Sequence, residues 1–115
     1  MEILRARYEE NKKYFENPLK YLRGVKKILK KNGIKEFRIF LFGSIVRGDY
    51  SIGLSDIDVL IVSDKFKDKE LRRKVYLELG EKYFAKPFEF HLATPEQFNS
   101  FYSKMVGKDI REIRL

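Results

Sequence analysis

At 115 residues the chain is the size of one domain and long enough to bury a core without disulfides or structural metals. With 43% hydrophobic and 37% charged residues it is neither a disordered segment nor a membrane protein, and its apolar runs fall far short of the roughly 20 residues a membrane helix needs. A net charge of +8 points to an anionic partner or a heavily solvated surface; the absence of cysteine excludes disulfides and thiolate metal sites, and the lack of a signal-peptide core at the N-terminus makes cytoplasmic residence the expectation.

Residues 2–16 are strong helix formers without Gly or Pro and predict a first helix with a loose apolar stripe, including Ile3, Leu4, Tyr8 and Phe15. That stripe suits core packing and a homodimer equally. Asn17-Pro18 predicts the start of a second helix, with Asn as N-cap and Pro at the first helical position. Tyr21, Leu22, Val25, Ile28 and Leu29 carry its helical spacing, and Asn32-Gly33 closes it. The opposite face holds Lys20, Arg23, Lys27, Lys30 and Lys31. It reads as a solvated helix back ahead of an RNA-binding surface, because few aromatic residues and no nucleic-acid motif accompany it.

Lys35–Phe42 predicts a strand with Phe37, Ile39 and Leu41 on one side and Phe40 and Phe42 on the other, both faces covered. After a loop over Gly43–Ser55, Asp56–Ser63 predicts a second strand. Ile57, Val59 and Ile61 face one way there, and Asp56, Asp58, Leu60 and Val62 the other. Leu71, Val75, Leu79 and Phe84 mark a third helix, and Phe88–Leu92 a short alternating strand. Thr94-Pro95-Glu96-Gln97 is a capping box that opens a last helix through about Met105, with Gly107 stopping it. The tail from Lys108 to Leu115 fits a strand, a helical turn or disorder. The order α-α-β-β-α-β-α, without repeat or linker, predicts one layered α/β domain spanning 1–115.

The chemistry concentrates in Phe42–Asp58. Gly43-Ser44 follows a strand and opens a short helix, Ser44–Arg47, where glycine lets a phosphate approach the backbone and free N–H groups favour anions. Ser44 adds a hydroxyl, and Arg47 offers a planar fork to a phosphate or, alternatively, a surface ion pair to Asp49. Asp56 and Asp58 share a strand face with Cβ atoms about 6–7 Å apart, within reach of one divalent cation. Two such carboxylates about 4 Å apart repel by roughly 4 kcal/mol at an effective dielectric of 20, which a proton or a cation must offset. Magnesium suits two carboxylates with water and phosphate completing its shell. Asp64 lies roughly 20 Å further along and cannot join them. Glu89 is the candidate third acid: it shares a face with His91, and reaches the pair if its strand neighbours Asp56–Ser63. His91, the single histidine, is expected to flank the site, because Mg²⁺ prefers oxygen.

The combined pattern, strand, Gly43-Ser44, Arg47-Gly48, then Ser55-Asp56-Ile57-Asp58 and a second strand, resembles the signature of the minimal nucleotidyltransferases of the DNA polymerase beta superfamily. The interval from Ser44 to Asp56 is one residue longer than the family's commonest, consistent with an extension at Ser51–Leu54. The resemblance covers Phe37–Val62 and extends to Pro87–Leu92. It implies a small α+β fold with a short mixed sheet flanked by helices, ATP or another nucleoside triphosphate, and Mg²⁺, two ions when the site is complete. Asp56 and Asp58 are then metal ligands, Gly43 and Ser44, with Arg47 and the motif's Ser55, hold the triphosphate, and Glu89 is the third acid, as base or metal ligand. The implied reaction is attack of an acceptor hydroxyl on the α-phosphate with release of pyrophosphate. Many small relatives pair with a HEPN-type RNase toxin and act as antitoxins by transferring AMP to a toxin tyrosine. Two other roles fit the same chain: a non-catalytic antitoxin that occludes its partner, and an RNA-binding accessory protein using the basic helix 18–32.

Overall fold

Why two of the strands run parallel while the others alternate follows from what connects them. β1 (Arg38–Phe42) and β2 (Ile57–Val62) are joined by a loop and pair antiparallel, with Phe42 opposite Asp58. The return from β2 to β3 (Phe88–Ala93) contains a helix, α4 (Lys69–Lys82), and this crossover allows β3 to lie parallel to β2. β4 (Ile110–Ile113) adds to the other side of β1, antiparallel, giving a mixed four-stranded sheet in the order β3-β2-β1-β4. The computed structural model describes residues 2–102, 104 and 109–115.

The alternation predicted for the strands decides the two layers. Ile39, Leu41, Ile57, Val59, Ile61, Phe90 and Leu92 enter the main core with residues of α1 (Glu2–Glu16), α2 (Pro18–Lys31) and α4. On α2, Leu22, Val25 and Leu29 are fully buried, each contributing roughly 1.5–3 kcal/mol of apolar burial before entropy is counted. The other face of the sheet carries Phe40, Leu60, Val62 and Ala93, with Phe98 and Tyr102 packed on them. Those two rings come from a helical segment that begins as α5 (Pro95–Gln97) and widens into a π-helical turn, Phe98–Tyr102. The back of α2 (Lys20, Arg23, Lys27, Lys30, Lys31) is exposed, and Lys31 bridges to Glu78 of α4 at 2.8 Å.

Several boundaries differ from the sequence reading, each for a local reason. β1 starts at Arg38, not Lys35, because the ladder ends at the Arg38–Val62 pair; the Ser63 hydroxyl then donates to the Glu36 carbonyl at 3.0 Å. β2 starts at Ile57, whose N–H donates to the Pro87 carbonyl at 2.7 Å, so Asp56 lies just ahead of the strand and is exposed. Asn17 occupies the N-cap of α2, but its side chain makes no capping hydrogen bond; Pro18 defines the start. Phe84 lies beyond α4 and is 79% exposed. The capping box forms as expected: Gln97 N–H donates to Thr94 Oγ1 at 3.2 Å, and Thr94 N–H to Gln97 Oε1 at 3.0 Å. Met105, Gly107 and Lys108 lie outside the described residues, and the tail beyond them forms β4. On α1, Phe15 is buried and stacks on Tyr50, while Ile3 and Tyr8 are exposed; the side chain of Leu4 is outside the description. No helix among the described residues is long and apolar enough to cross a membrane.

Besides the Lys31–Glu78 bridge, a polar contact ties the residue that ends α4 to α2. The buried Tyr83 hydroxyl donates to the Tyr21 carbonyl at 2.6 Å, and burial pushes its pKa up to about 12. A phenol raised from its ordinary value by folding contributes stability that is complete below about pH 10 and is lost as pH rises toward 12. Tyr83→Phe should cost about 1–2 kcal/mol in denaturant unfolding at pH 7 and flatten the loss of stability between about pH 10 and 12.

Candidate active site

The site begins where β1 stops. Gly43 takes φ +77° and ψ −143°, a conformation open to glycine, and turns the chain into α3 (Ser44–Arg47). The N–H groups of Val46 and Arg47 close the turn on the Gly43 carbonyl at 3.0 and 3.1 Å. The opening N–H groups of such a turn have no acceptor within it, which leaves them for an anion. A Cβ on Gly43 would lie 3.0 Å from Asp58 Oδ2, so the turn and the carboxylate are in direct apposition. The β1–β2 register, with Phe42 facing Asp58, produces that contact.

The β2–β3 register then sets Asp58 opposite Glu89, and Leu60 opposite His91. One ligand atom from each of Asp58, Glu89 and His91 lies within 4.8 Å of the other two. His91 Nε2 is 3.3 Å from Asp58 Oδ1 and 3.9 Å from Glu89 Oε1. Phe42 approaches the imidazole edge-on at 5.0 Å between centroids, and Tyr102 lies at 6.3 Å. Asp58 and His91 side chains are each 25% exposed and Glu89 56%, so the group opens to solvent on the Glu89 side. Two carboxylates and an imidazole fit a divalent cation: the oxygens neutralise it, and water or phosphate has room to complete its shell.

The structure therefore brings Gly43, Asp58, Glu89 and His91 together. Asp56, just ahead of the strand, is not part of the three-residue group. Arg47 is occupied: Nε donates to Asp49 Oδ2 at 3.0 Å and NH1 lies 3.8 Å from Asp109 Oδ2. The hydrogen bond to Asp49 and its charge, with Asp109 and Asp58 further off, hold the exposed guanidinium above its ordinary pKa. Ser55 closes the preceding loop, its Oγ accepting from Ser51 N–H at 2.9 Å. Asp109, which no motif in the sequence marks, accepts from Gly43 N–H through its carbonyl at 3.1 Å and steadies the turn from the β4 side. Phe42 and Tyr102 border the site without having been singled out for it; alternation along β1 could have placed Phe42 there, whereas nothing local marks Tyr102.

Comparison with known proteins shows the family and the fold. Residues 22–114 match the profile of the nucleotidyltransferase domain family. A crystal structure described provisionally as a nucleotidyltransferase is 38% identical, covering 82% of this chain and 98% of its own, with a TM-score of 0.70. A second, provisionally described nucleotidyltransferase, from Sulfolobus solfataricus, is 21% identical over 84% of this chain and 82% of its own, with a TM-score of 0.49. No curated protein matches. The chain belongs to the nucleotidyltransferase domain family, and its small α+β fold with a mixed sheet is that of its structural neighbour.

The Gly43–Asp58 apposition can be tested directly. Gly43→Ala combines a backbone strain of about 1–3 kcal/mol with displacement of the Asp58 carboxylate. Thermal unfolding should shift down by several degrees, and any nucleotidyl transfer should fall further than the lost stability accounts for.

Proposed function

We propose that the chain is a Mg²⁺-dependent nucleotidyltransferase that takes AMP from ATP and places it on an acceptor hydroxyl. The observation that carries this reading is the placement of Asp58 opposite Glu89, beside the Gly43 turn. A carboxylate pair next to a backbone anion site matches what transfer from a nucleoside triphosphate needs. Asp58 and Glu89 would hold the cation, and Asp56, exposed just ahead of β2, would join them by turning its carboxylate toward the site. Bound there, divalent cations supply charge neutralisation for the entering and leaving oxygens.

The chain's own residues do the rest. The Gly43–Ser44 turn receives the β- and γ-phosphates, Gly43 by leaving room for their close approach and Ser44 through its backbone N–H and hydroxyl, which orients the α-phosphorus. Ser55 keeps the Ser51–Ser55 turn closed behind Asp56, and Arg47 is held by Asp49 at the rim until a phosphate competes for it. The acceptor oxygen bonds to the α-phosphorus as the bond to the bridging oxygen breaks. Pyrophosphate leaves with that electron pair, and the hydroxyl proton passes to the Glu89 carboxylate. For the acceptor, we propose a tyrosine of a HEPN-type toxin, giving the chain an antitoxin role; the resemblance to toxin-paired relatives supports it.

Incubation with α-labelled ATP, Mg²⁺ and the co-purifying or neighbouring-gene partner tests the chemistry. Asp58→Asn should lower label transfer by at least about a hundredfold, Asp56→Asn should also reduce it strongly, and neither variant should lower the unfolding midpoint, Asp58→Asn because it removes the repulsion with Glu89. Undiminished labelling by Asp58→Asn would remove the enzymatic reading. Labelling that persists after every tyrosine of the partner is replaced by phenylalanine would move the acceptor elsewhere.

A further inference from the structure

Among the described residues of the site, His91 is a metal-ligating group that oxygen-only cation binding leaves unused. Its Nε2 points between two carboxylate oxygens, 3.3 Å from Asp58 Oδ1 and 3.9 Å from Glu89 Oε1. Ligands about 2.1 Å from a shared ion stand roughly 3–3.4 Å from one another, so the His91–Asp58 separation already has ligand spacing. The three ligand atoms all lie within 4.8 Å of one another, so the Glu89 carboxylate must close about half an ångström toward His91 and up to about 1.4 Å toward Asp58, a rotation this more exposed side chain can make. The imidazole is held in this direction by packing: its ring sits edge-on to Phe42 at 5.0 Å, and its backbone is locked by the parallel ladder opposite Leu60. A hydrogen bond to Asp58 alone would not require the same nitrogen to approach Glu89.

We infer that Asp58, Glu89 and His91 form a mixed oxygen–nitrogen site that takes a first-row transition cation (Mn²⁺, Co²⁺ or Zn²⁺) in preference to Mg²⁺. Imidazole binds these borderline ions well and Mg²⁺ poorly, whereas the two carboxylates serve all of them. The inference rests on the reading of this place as the cation site of the transfer reaction, and it changes which cation the site selects. For the ion to bind, the neutral ring presents the Nε2 lone pair and keeps its proton on Nδ1.

His91 is the single histidine of the chain, so its imidazole gives one unambiguous set of nitrogen signals. In a long-range ¹H–¹⁵N spectrum of the full chain, stoichiometric Zn²⁺ should shift the Nε2 resonance into the metal-bound range, while excess Mg²⁺ should leave it in place. By calorimetry, Mn²⁺ should bind at least about tenfold more tightly than Mg²⁺. His91→Gln should reduce Mn²⁺ affinity by about 10–100-fold with little change for Mg²⁺, at an unaltered unfolding midpoint. An Nε2 resonance unmoved by saturating Zn²⁺, or a Mn²⁺-to-Mg²⁺ ratio unchanged in His91→Gln, overturns the inference. Neither measurement uses turnover, so an inactive protein that passes both would count against the transfer reading alone, and an active one that fails both against His91 alone.

Discussion

Asp58 and Glu89 are like charges set directly opposite each other on adjacent strands, an arrangement that by itself disfavours pairing. The fold tolerates it at the one end of β2 where the carboxylates keep contact with water, and where an imidazole nitrogen lies beside both. Four residues further along, the same strand pair is apolar and buried at Val62 and Ala93. The interior of the ladder thus holds the strands together, while its open end carries an electrostatic cost that a cation would relieve. Other parts of the structure serve that register: the α4 crossover permits the parallel pairing, and Ile57 is anchored to the Pro87 carbonyl just ahead of it.

The second constraint is steric. Gly43 accommodates the Asp58 carboxylate because it lacks a Cβ, and its amide is held by Asp109 from the β4 side. The Gly43 turn and the Asp58 carboxylate are therefore two sides of one contact, with segments from both sides of β1 fixing it. The protein's excess of positive charge lies elsewhere, including the exposed back of α2, so the acidic cluster is a local exception on a basic surface. Such a surface attracts anions in general, and an acidic cluster repels them unless a cation offsets its charge.

Much of this was readable from residue order because it depends on period-two alternation and on short motifs. The two faces of β1 and β2, the α2 stripe and the Thr94–Gln97 box follow from side-chain spacing that tertiary packing reinforces. Glu89 could be nominated because it alternates with Phe88 and Phe90; its partner followed only once β3 was placed beside β2. What the sequence left open lay where partners are distant. Ile110–Ile113 is too short to declare itself a strand and exists as one through pairing with β1. The exact start of β2, and hence the exposure of Asp56, depends on a hydrogen bond to Pro87, thirty residues away. His91 is expected to flank the site because Mg²⁺ prefers oxygen; how near it comes to Asp58 belongs to the strand register, which no local pattern encodes.

The parallel crossover also governs which pieces of the chain can ever hold the site. Gly43 and Asp58 come from one hairpin, but Glu89 and His91 arrive only after α4 has been traversed and β3 has docked. The site is therefore a high-contact-order feature: its halves meet only after the loop-closure entropy of a whole helical connection has been overcome. A fragment ending before β3 would retain the turn and the first acids yet lack the facing wall. A ligand that needs all three sides would thus report completion of the sheet, and would stabilise the docked β3 by linkage.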